Sequence, residues 1–357
     1  MPRVVGIDPG TLSFDICGLA DGEIVLETSV PSASVAREPG ALLELLSEFG
    51  PLDLIAGPSG YGLPLTPIEA VGERELALMS LAEPGSNAGG PAVRGLVRLL
   101  RESGLPVVFT PGVIHLPSVP PHRKLNRVDL GTADKVCAAA WAIERQARRR
   151  GVAYRETALV LVELGGAFTA LLTIVAGRIV SGQGGSSGPI GYRSAGALDA
   201  EVAWLLGDAG KHAVFSGGVA FVAGAPDAAP EAFATRDDAQ ARLALEAFVE
   251  GVRRAVASEL SVAPGVHEIV LSGRLARIPA FREPVADALG SLGGVAPAGT
   301  DAVKEAAYGA ALLADGLAGG RFEELVESLQ LREAGGSVLD HVYVKAPGAV
   351  RWLARES

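Results

Sequence analysis

One pattern occurs twice in this chain and restricts its architecture more than any other feature. The apolar run Val4 to Ile7 ends in Asp8-Pro9-Gly10-Thr11, and a second run follows from Phe14 to Ala20. Asp21-Gly22 then turns the chain into a third run, Ile24 to Val30. Further on, Ala158 to Val162 ends in Glu163-Leu164-Gly165-Gly166, a second run reaches Val175, and Ala176-Gly177 leads into Ile179 to Ser181. Short apolar runs bounded by turn residues read as strands, and Asp-Gly between two of them signals a hairpin. Strand, acid-x-Gly, strand, turn, strand therefore appears twice, with the acids at positions 8 and 163. Such repetition predicts an internally duplicated fold. At 357 residues, two domains are expected, divided near Gly151 into 1–150 and 151–357.

The segments between the repeats alternate helix and strand. Helical spacing of Leu42, Leu43, Leu45, Leu46 and Phe49 predicts a helix from Gly40, and Leu52 to Ala56 a strand that runs into the Gly-rich stretch Gly57 to Gly62. A helix over Pro91 to Ser103 precedes a strand at Pro106 to Thr110. A long irregular run, Pro111 to Arg127, then holds His115, His122, Arg123, Lys124 and Arg127 ahead of a helix from Thr132 to about Arg150. In the second half, the Gly-rich loop Gly182 to Tyr192 leads to helices at Ala197 to Leu206 and Asp237 to Leu260. The strand His267 to Leu271 runs into Ser272-Gly273-Arg274, with helices at Pro279 to Leu289 and Ala302 to Leu317 and a strand candidate at Val338 to Val344. This alternation predicts an α/β fold, in which ligands sit beyond the carboxyl ends of the parallel strands.

Composition narrows the function. The chain is 48% hydrophobic and carries 31 basic against 41 acidic residues, a formal charge of −10 with no basic block. That balance argues against nucleic acid as a partner. No 18-residue uncharged apolar stretch is present, so no membrane association is expected, and a cytoplasmic location follows. Cys17 lies in a predicted strand and Cys137 in a predicted helix, which reads as two buried thiols.

The two acid-x-Gly turns carry the chemistry. Glycine lets backbone N–H groups approach an anion, Thr11 adds a hydroxyl, and Asp8 can hold a hydrated Mg²⁺. An ordinary β-turn with a positive-φ glycine reads the same way, so the weight comes from the repeat. Two such turns facing one cleft would grip a nucleotide's phosphates.

In order and spacing, Asp8-Pro9-Gly10-Thr11, Glu163-Leu164-Gly165-Gly166 and Leu271-Ser272-Gly273-Arg274 resemble the two phosphate motifs and the adenosine motif of the acetate and sugar kinase, heat-shock chaperone and actin ATPase superfamily. The small-residue helix around Ala306 to Ala311 is similar to its second connecting helix, and Asp129 to Lys135 stands where the first would begin. Through Pro121-His122-Arg123-Lys124-Leu125-Asn126-Arg127 the chain looks most like the group described as predicted butyrate kinases. The resemblance implies two ribonuclease H-like domains with the actin-like ATPase fold and an interdomain nucleotide cleft. It implies ATP and Mg²⁺ as cofactors, with Asp8 and Glu163 toward the metal. Gly10, Thr11, Gly165 and Gly166 would contact the phosphates, and Ser272 and Gly273 the adenosine. Glu163 stands where the superfamily usually has Asp.

The acceptor remains open between two chemistries. A carboxylate is already an anion and needs cations, which His122, Arg123, Lys124 and Arg127 offer. An alcohol needs a base, for which Asp129 and Asp134 are available. Acyl phosphate formation is favoured, with Asp8, Arg123, Lys124 and Asp134 as catalytic candidates and a small-molecule carboxylate as substrate. A sugar or alcohol kinase, and an ATP-binding regulator or weak ATPase, are the alternatives. A homodimer is admitted but not required.

Overall fold

The computed structural model describes residues 2–10, 13–38, 40–82, 91–207, 210–296 and 304–344. They form two compact units: Met1–Val128 with Thr132–Tyr154 and Asp301–Ser357, and Asp129–Gly131 with Arg155–Thr300. The longer helices, in chain order, are α1 (Gly40–Glu48), α2 (Pro91–Ser103), α3 (Ala133–Arg150), α4 (Ala239–Val262), α5 (Pro279–Leu289) and α6 (Glu305–Leu317).

The first unit is built on a six-stranded sheet of β1 (Arg3–Pro9), β2 (Ser13–Ala20), β3 (Glu23–Pro31), β4 (Leu54–Pro58), β5 (Thr66–Pro67) and β6 (Val107–Thr110). Its order is β3-β2-β1-β4-β6-β5, with β1, β4 and β6 parallel and β2, β3 and β5 antiparallel to their neighbours. The β2–β3 hairpin turns at Asp21 (φ 56°) and Gly22 (φ 78°). Two left-handed residues give the turn whose twist matches that of the strands, as Asp-Gly predicts. Cys17 lies inside β2 as a free buried thiol, and Cys137 inside α3 likewise.

One face of this sheet is covered by α3 and α6, and Gly6 shows how tightly. A Cβ there would lie 2.2 Å from the Ala311 amide nitrogen and 2.3 Å from the Ala307 carbonyl oxygen. The small residues of α6 thus let its backbone rest on β1. On the opposite face, Ile7, Ile55, Val107 and Phe109 share an apolar space with Leu96, Val97 and Leu100 of α2. This packing changes the expected division of the chain. Residues 151–357 do not stay in one domain, because α6 packs on β1, β2, β4 and α3 and returns the chain from Asp301 onward to the first unit.

The second unit repeats the plan with β7 (Ala158–Leu164), β8 (Thr169–Val175), β9 (Arg178–Gln183), β10 (Glu268–Ser272) and β11 (Gly294–Ala296) in the order β11-β10-β7-β8-β9. The strands β7, β10 and β11 are parallel, and β8 and β9 complete antiparallel hairpins. Its second hairpin turns at Ala176 (φ 53°) and Gly177 (φ 71°), the same geometry as at Asp21-Gly22. Asp238 caps α4 by accepting the amides of Gln240 (3.1 Å) and Ala241 (3.0 Å). Phe248 of α4 packs edge-on against Phe281 of α5, within a core that also takes in Tyr192 and Phe233.

The strand expected at Val338 to Val344 is absent; a turn and irregular chain stand there. Its backbone groups pair with the loop before α3 instead of a sheet edge. Asn126 donates its amide to the His341 carbonyl (2.8 Å), and its Oδ1 accepts the Tyr343 amide (2.8 Å).

Candidate functional site

The acid-x-Gly turns stand at the carboxyl ends of the central strands, β1 in the first unit and β7 in the second, and close in the same way. Gly10 donates its amide to the Ser13 carbonyl (2.9 Å), and Gly165 donates to the Phe168 carbonyl (2.9 Å). Both glycines are required by the tightness of that closure. A Cβ would meet the Ser13 oxygen at 2.9 Å in one turn and the Phe168 oxygen at 2.7 Å in the other. The amides of Gly10 and Gly165 therefore close the turns. Thr11 lies outside the described residues.

Around the first turn, Asp8 stands directly opposite Asp15 in the β1–β2 register. Residues so paired project from the same face, so two acids sit side by side. Asp15 is buried and ion-pairs with Lys304, which precedes α6, and Lys304 Nζ also donates to Ser13 Oγ (2.8 Å). Ser13 Oγ donates to Asp15 Oδ2 (3.0 Å), closing a three-membered cluster. Ser32 adds a hydrogen bond to the Gly10 carbonyl (2.8 Å). Lys304 and Asp15 did not emerge from the motifs. The available signal was an acid inside an otherwise apolar strand, Phe14-Asp15-Ile16, since a buried charge demands a partner.

In the second unit Glu163, Gly165, Gly166, Ser272 and Gly273 converge. Ser272 is the register partner of Glu163 across the parallel β7–β10 pair. Gly273 takes φ 86°, and a Cβ on it would strike the Leu164 carbonyl at 2.7 Å and Glu163 Cγ at 3.1 Å. The longer Glu163 side chain thus lies across a glycine that leaves room for it. Ser272 Oγ is fully buried and has no hydrogen-bond partner among the described residues. Arg274, beside Gly166, holds Glu231 through both carboxylate oxygens.

The run before α3 divides its cations and commits its acids. Lys124 turns inward, donating Nζ to the Leu116 carbonyl (2.9 Å), and burial lowers its pKa. It serves the loop's own carbonyl. Arg123 is half-buried, whereas His122 and Arg127 are exposed. Asp134, at the start of α3, accepts from Thr132 Oγ1 and Lys135 Nζ, one on each oxygen. Burial pushes its pKa up, but the Lys135 charge and these hydrogen bonds outweigh that, and the net shift is downward. Asp129 belongs to the second unit, where Oδ1 accepts the Gly131 amide (3.1 Å) and Oδ2 the Ser186 amide and hydroxyl (2.9 Å each). It organises the Gly-rich loop, in which a Cβ on Gly184 would overlap the Asp129 carboxylate. Asp8 and Asp134 do come together around Cys137. Burial pushes that thiol up to about 12, and both carboxylates add to the rise.

His115 is buried, with Nδ1 facing the carbonyls of Gly335 (3.3 Å) and Gly336 (3.2 Å), and burial lowers its pKa. An unfolded chain then binds the proton more readily than the folded one, so stability is complete above the ordinary histidine range and falls as pH drops through it. A melting temperature that decreases from pH 7.5 to 5.5 is expected, with the slope reduced in His115→Asn. An unchanged slope in that variant would reject the assignment.

Among the described residues no group of three or more His, Cys, Asp or Glu side chains is placed to hold a metal ion, and no helix is long and apolar enough to cross a membrane. The comparisons with known proteins agree with the architecture. Residues 6–344 match the model of a family described as a protein of unknown function, DUF1464, and the chain belongs to that family. No curated protein matches the chain. Solved structures do: a propionate kinase from Francisella tularensis (14% identity, 87% of this chain and 98% of that one, TM-score 0.62) and an acetate kinase from Entamoeba histolytica (12% identity, 81% and 87%, TM-score 0.60). A Listeria monocytogenes protein described as a candidate N-acetylmannosamine kinase is more distant (17% identity, 87% and 97%, TM-score 0.51). At these identities the likeness is one of fold, and the chain has the actin-like ATPase fold of the acetate and propionate kinases.

Proposed function

We propose that this member of the DUF1464 family is an ATP-dependent kinase that phosphorylates a short-chain carboxylic acid, of the butyrate kinase kind, to an acyl phosphate. Kinase chemistry in general is supported by the fold and by two matching acid-x-Gly turns at strand ends. Phosphoryl transfer asks mainly for positioning and charge neutralisation, and such turns are suited to that.

The choice of acceptor rests on one observation. The two acids that could serve an alcohol as base, Asp129 and Asp134, have both oxygens engaged by neighbouring donors. The downward shift at Asp134 makes it a still weaker base. A carboxylate acceptor brings its own negative charge and needs no base. Arg123, half-buried in the loop before α3, would face its repulsion from the incoming phosphoryl group.

Mg²⁺ keeps several waters and binds through one or two carboxylates plus the nucleotide's phosphates. Asp8 fits that role, half-buried beside the first turn, while its neighbour Asp15 is committed to Lys304. When bound, the ion would neutralise phosphate charge. Glu163 would serve the same end in its unit, and Ser272 and Gly273 would border the adenosine. Phosphate donors would come from turn residues other than Gly10 and Gly165.

Incubation with ATP, Mg²⁺, hydroxylamine and a panel of short acids tests the proposal. Hydroxamate that depends on the acid is expected, and Arg123→Ala should weaken use of the acid more than binding of ATP. ADP release without any acid dependence would replace this reading with an ATPase or regulator. Transfer to a sugar with no hydroxamate would replace it with an alcohol kinase.

A further inference from the structure

Lys304 reaches the first turn from a distant part of the chain. It precedes α6 with extended backbone (φ −64°, ψ 138°), so the helix start fixes where its side chain begins. The ammonium then bonds Ser13 Oγ and the Asp15 carboxylate, and lies 3.5 Å from where a Cβ on Gly10 would be. Glycine leaves that approach open.

Exposure is unequal across the pair. The Asp15 side chain is 7% exposed and that of Lys304 37%, so the acid is buried while the lysine side chain keeps contact with solvent. Two acids side by side, Asp8 and Asp15, would repel a polyphosphate at this turn, and Lys304 is the cation that offsets one of them. An ammonium has three donors, of which Ser13 and Asp15 take two. A partly exposed ion pair of this kind adds little stability by itself.

We propose that Lys304 is a phosphate-contacting residue of the first turn, its ammonium binding the polyphosphate chain of the nucleotide while Ser13 and Asp15 hold it in place. The proposal rests on the kinase reading and extends it to a residue outside all three motifs. Asp15 then acts as a positioning residue that also tempers the ammonium's pull on anions.

Calorimetric titration with Mg-ATP, inorganic tripolyphosphate and adenosine separates the roles. Loss of one charge-assisted hydrogen bond predicts that Lys304→Met weakens ATP and tripolyphosphate by about tenfold or more while adenosine is unaffected. Lys304→Arg, which keeps the charge, should recover most of that loss. Asp15→Asn removes the competing carboxylate and should tighten tripolyphosphate, whereas a structural pair would lose affinity in both variants alike. Should Lys304→Met not fold, Lys304→Arg and Asp15→Asn decide the matter. Unchanged tripolyphosphate affinity in Lys304→Met, or weakening in Asp15→Asn equal to that in Lys304→Met, would overturn the proposal. Failure of the wild-type protein to bind Mg-ATP would instead remove the kinase reading, so the two failures are distinguishable.

Discussion

Asp8→Asn is expected to leave a folded protein whose phosphoryl transfer has fallen by about 10³-fold, the scale associated with losing a preorganised electrostatic contact in the transition state. The fold should survive because Asp8 lies at the carboxyl end of β1, outside the apolar core, and Asn can still hydrogen-bond there. Asn keeps the side chain's size in its half-buried position. Turnover and thermal melting are measured together. A melting temperature equal to or above that of the wild type, with activity lost, supports Asp8 as the acid that serves the metal and phosphates. Near-normal turnover in the variant would defeat that assignment and leave the first turn without its central group.

The largest effect on stability is expected at Gly309, where α6 crosses α3. A Cβ there would lie 1.7 Å from the Cys137 carbonyl oxygen and 2.5 Å from its carbon. Those are backbone atoms of a buried helix, so no side-chain rotation relieves the clash, and the two helices would have to separate. Overpacking in a core commonly costs about 1–3 kcal/mol, and displacement of a whole helix places Gly309→Val at or beyond the upper end of that range. Low yield of soluble protein, or melting lowered by about 10 °C or more, is expected. Gly95→Ala is the control. Among the described residues no atom of a neighbouring element lies within 4 Å of its Cβ position, so relief from glycine's entropic cost in a helix should stabilise the protein slightly. Wild-type melting in Gly309→Val would mean that α6 does not pack on α3 as described. Because α6 also carries the chain onward from Lys304 and rests on β1 at Gly6, this contact bears on the first turn as well as on stability.

Much of the fold was legible because its signals are local. Asp21-Gly22 forms the left-handed hairpin turn that its dipeptide predicts, and Ala176-Gly177 turns the second hairpin in the same geometry. The helices over Pro91–Ser103 and Pro279–Leu289 have the limits their patterns suggested. The match between Asp8-x-Gly10 and Glu163-x-Gly165 foretold the duplication, and the order β3-β2-β1-β4-β6 in the six-stranded sheet recurs as β9-β8-β7-β10-β11 in the five-stranded one. Val338 to Val344 misled because an apolar run marks a segment able to pair without naming its partner, and here the backbone bonds to the loop around Asn126. The loop's cations were legible as residue types but not their burial: Lys124 lies inside, against the Leu116 carbonyl, while His122 and Arg127 are exposed.

Most of the secondary elements, the duplication and the positions of two glycine turns could be read from the chain alone, since each depends on contacts made within a few residues. Tertiary structure decided which groups stand at those turns. Asp15 and Lys304 are 289 residues apart. Their meeting depends on the small residues of α6 allowing its backbone onto β1, a matter of shape that no local pattern records. Folding also gave the Gly10 and Gly165 amides a partner within the turn, the carbonyl three residues on, because a backbone N–H left without one is costly.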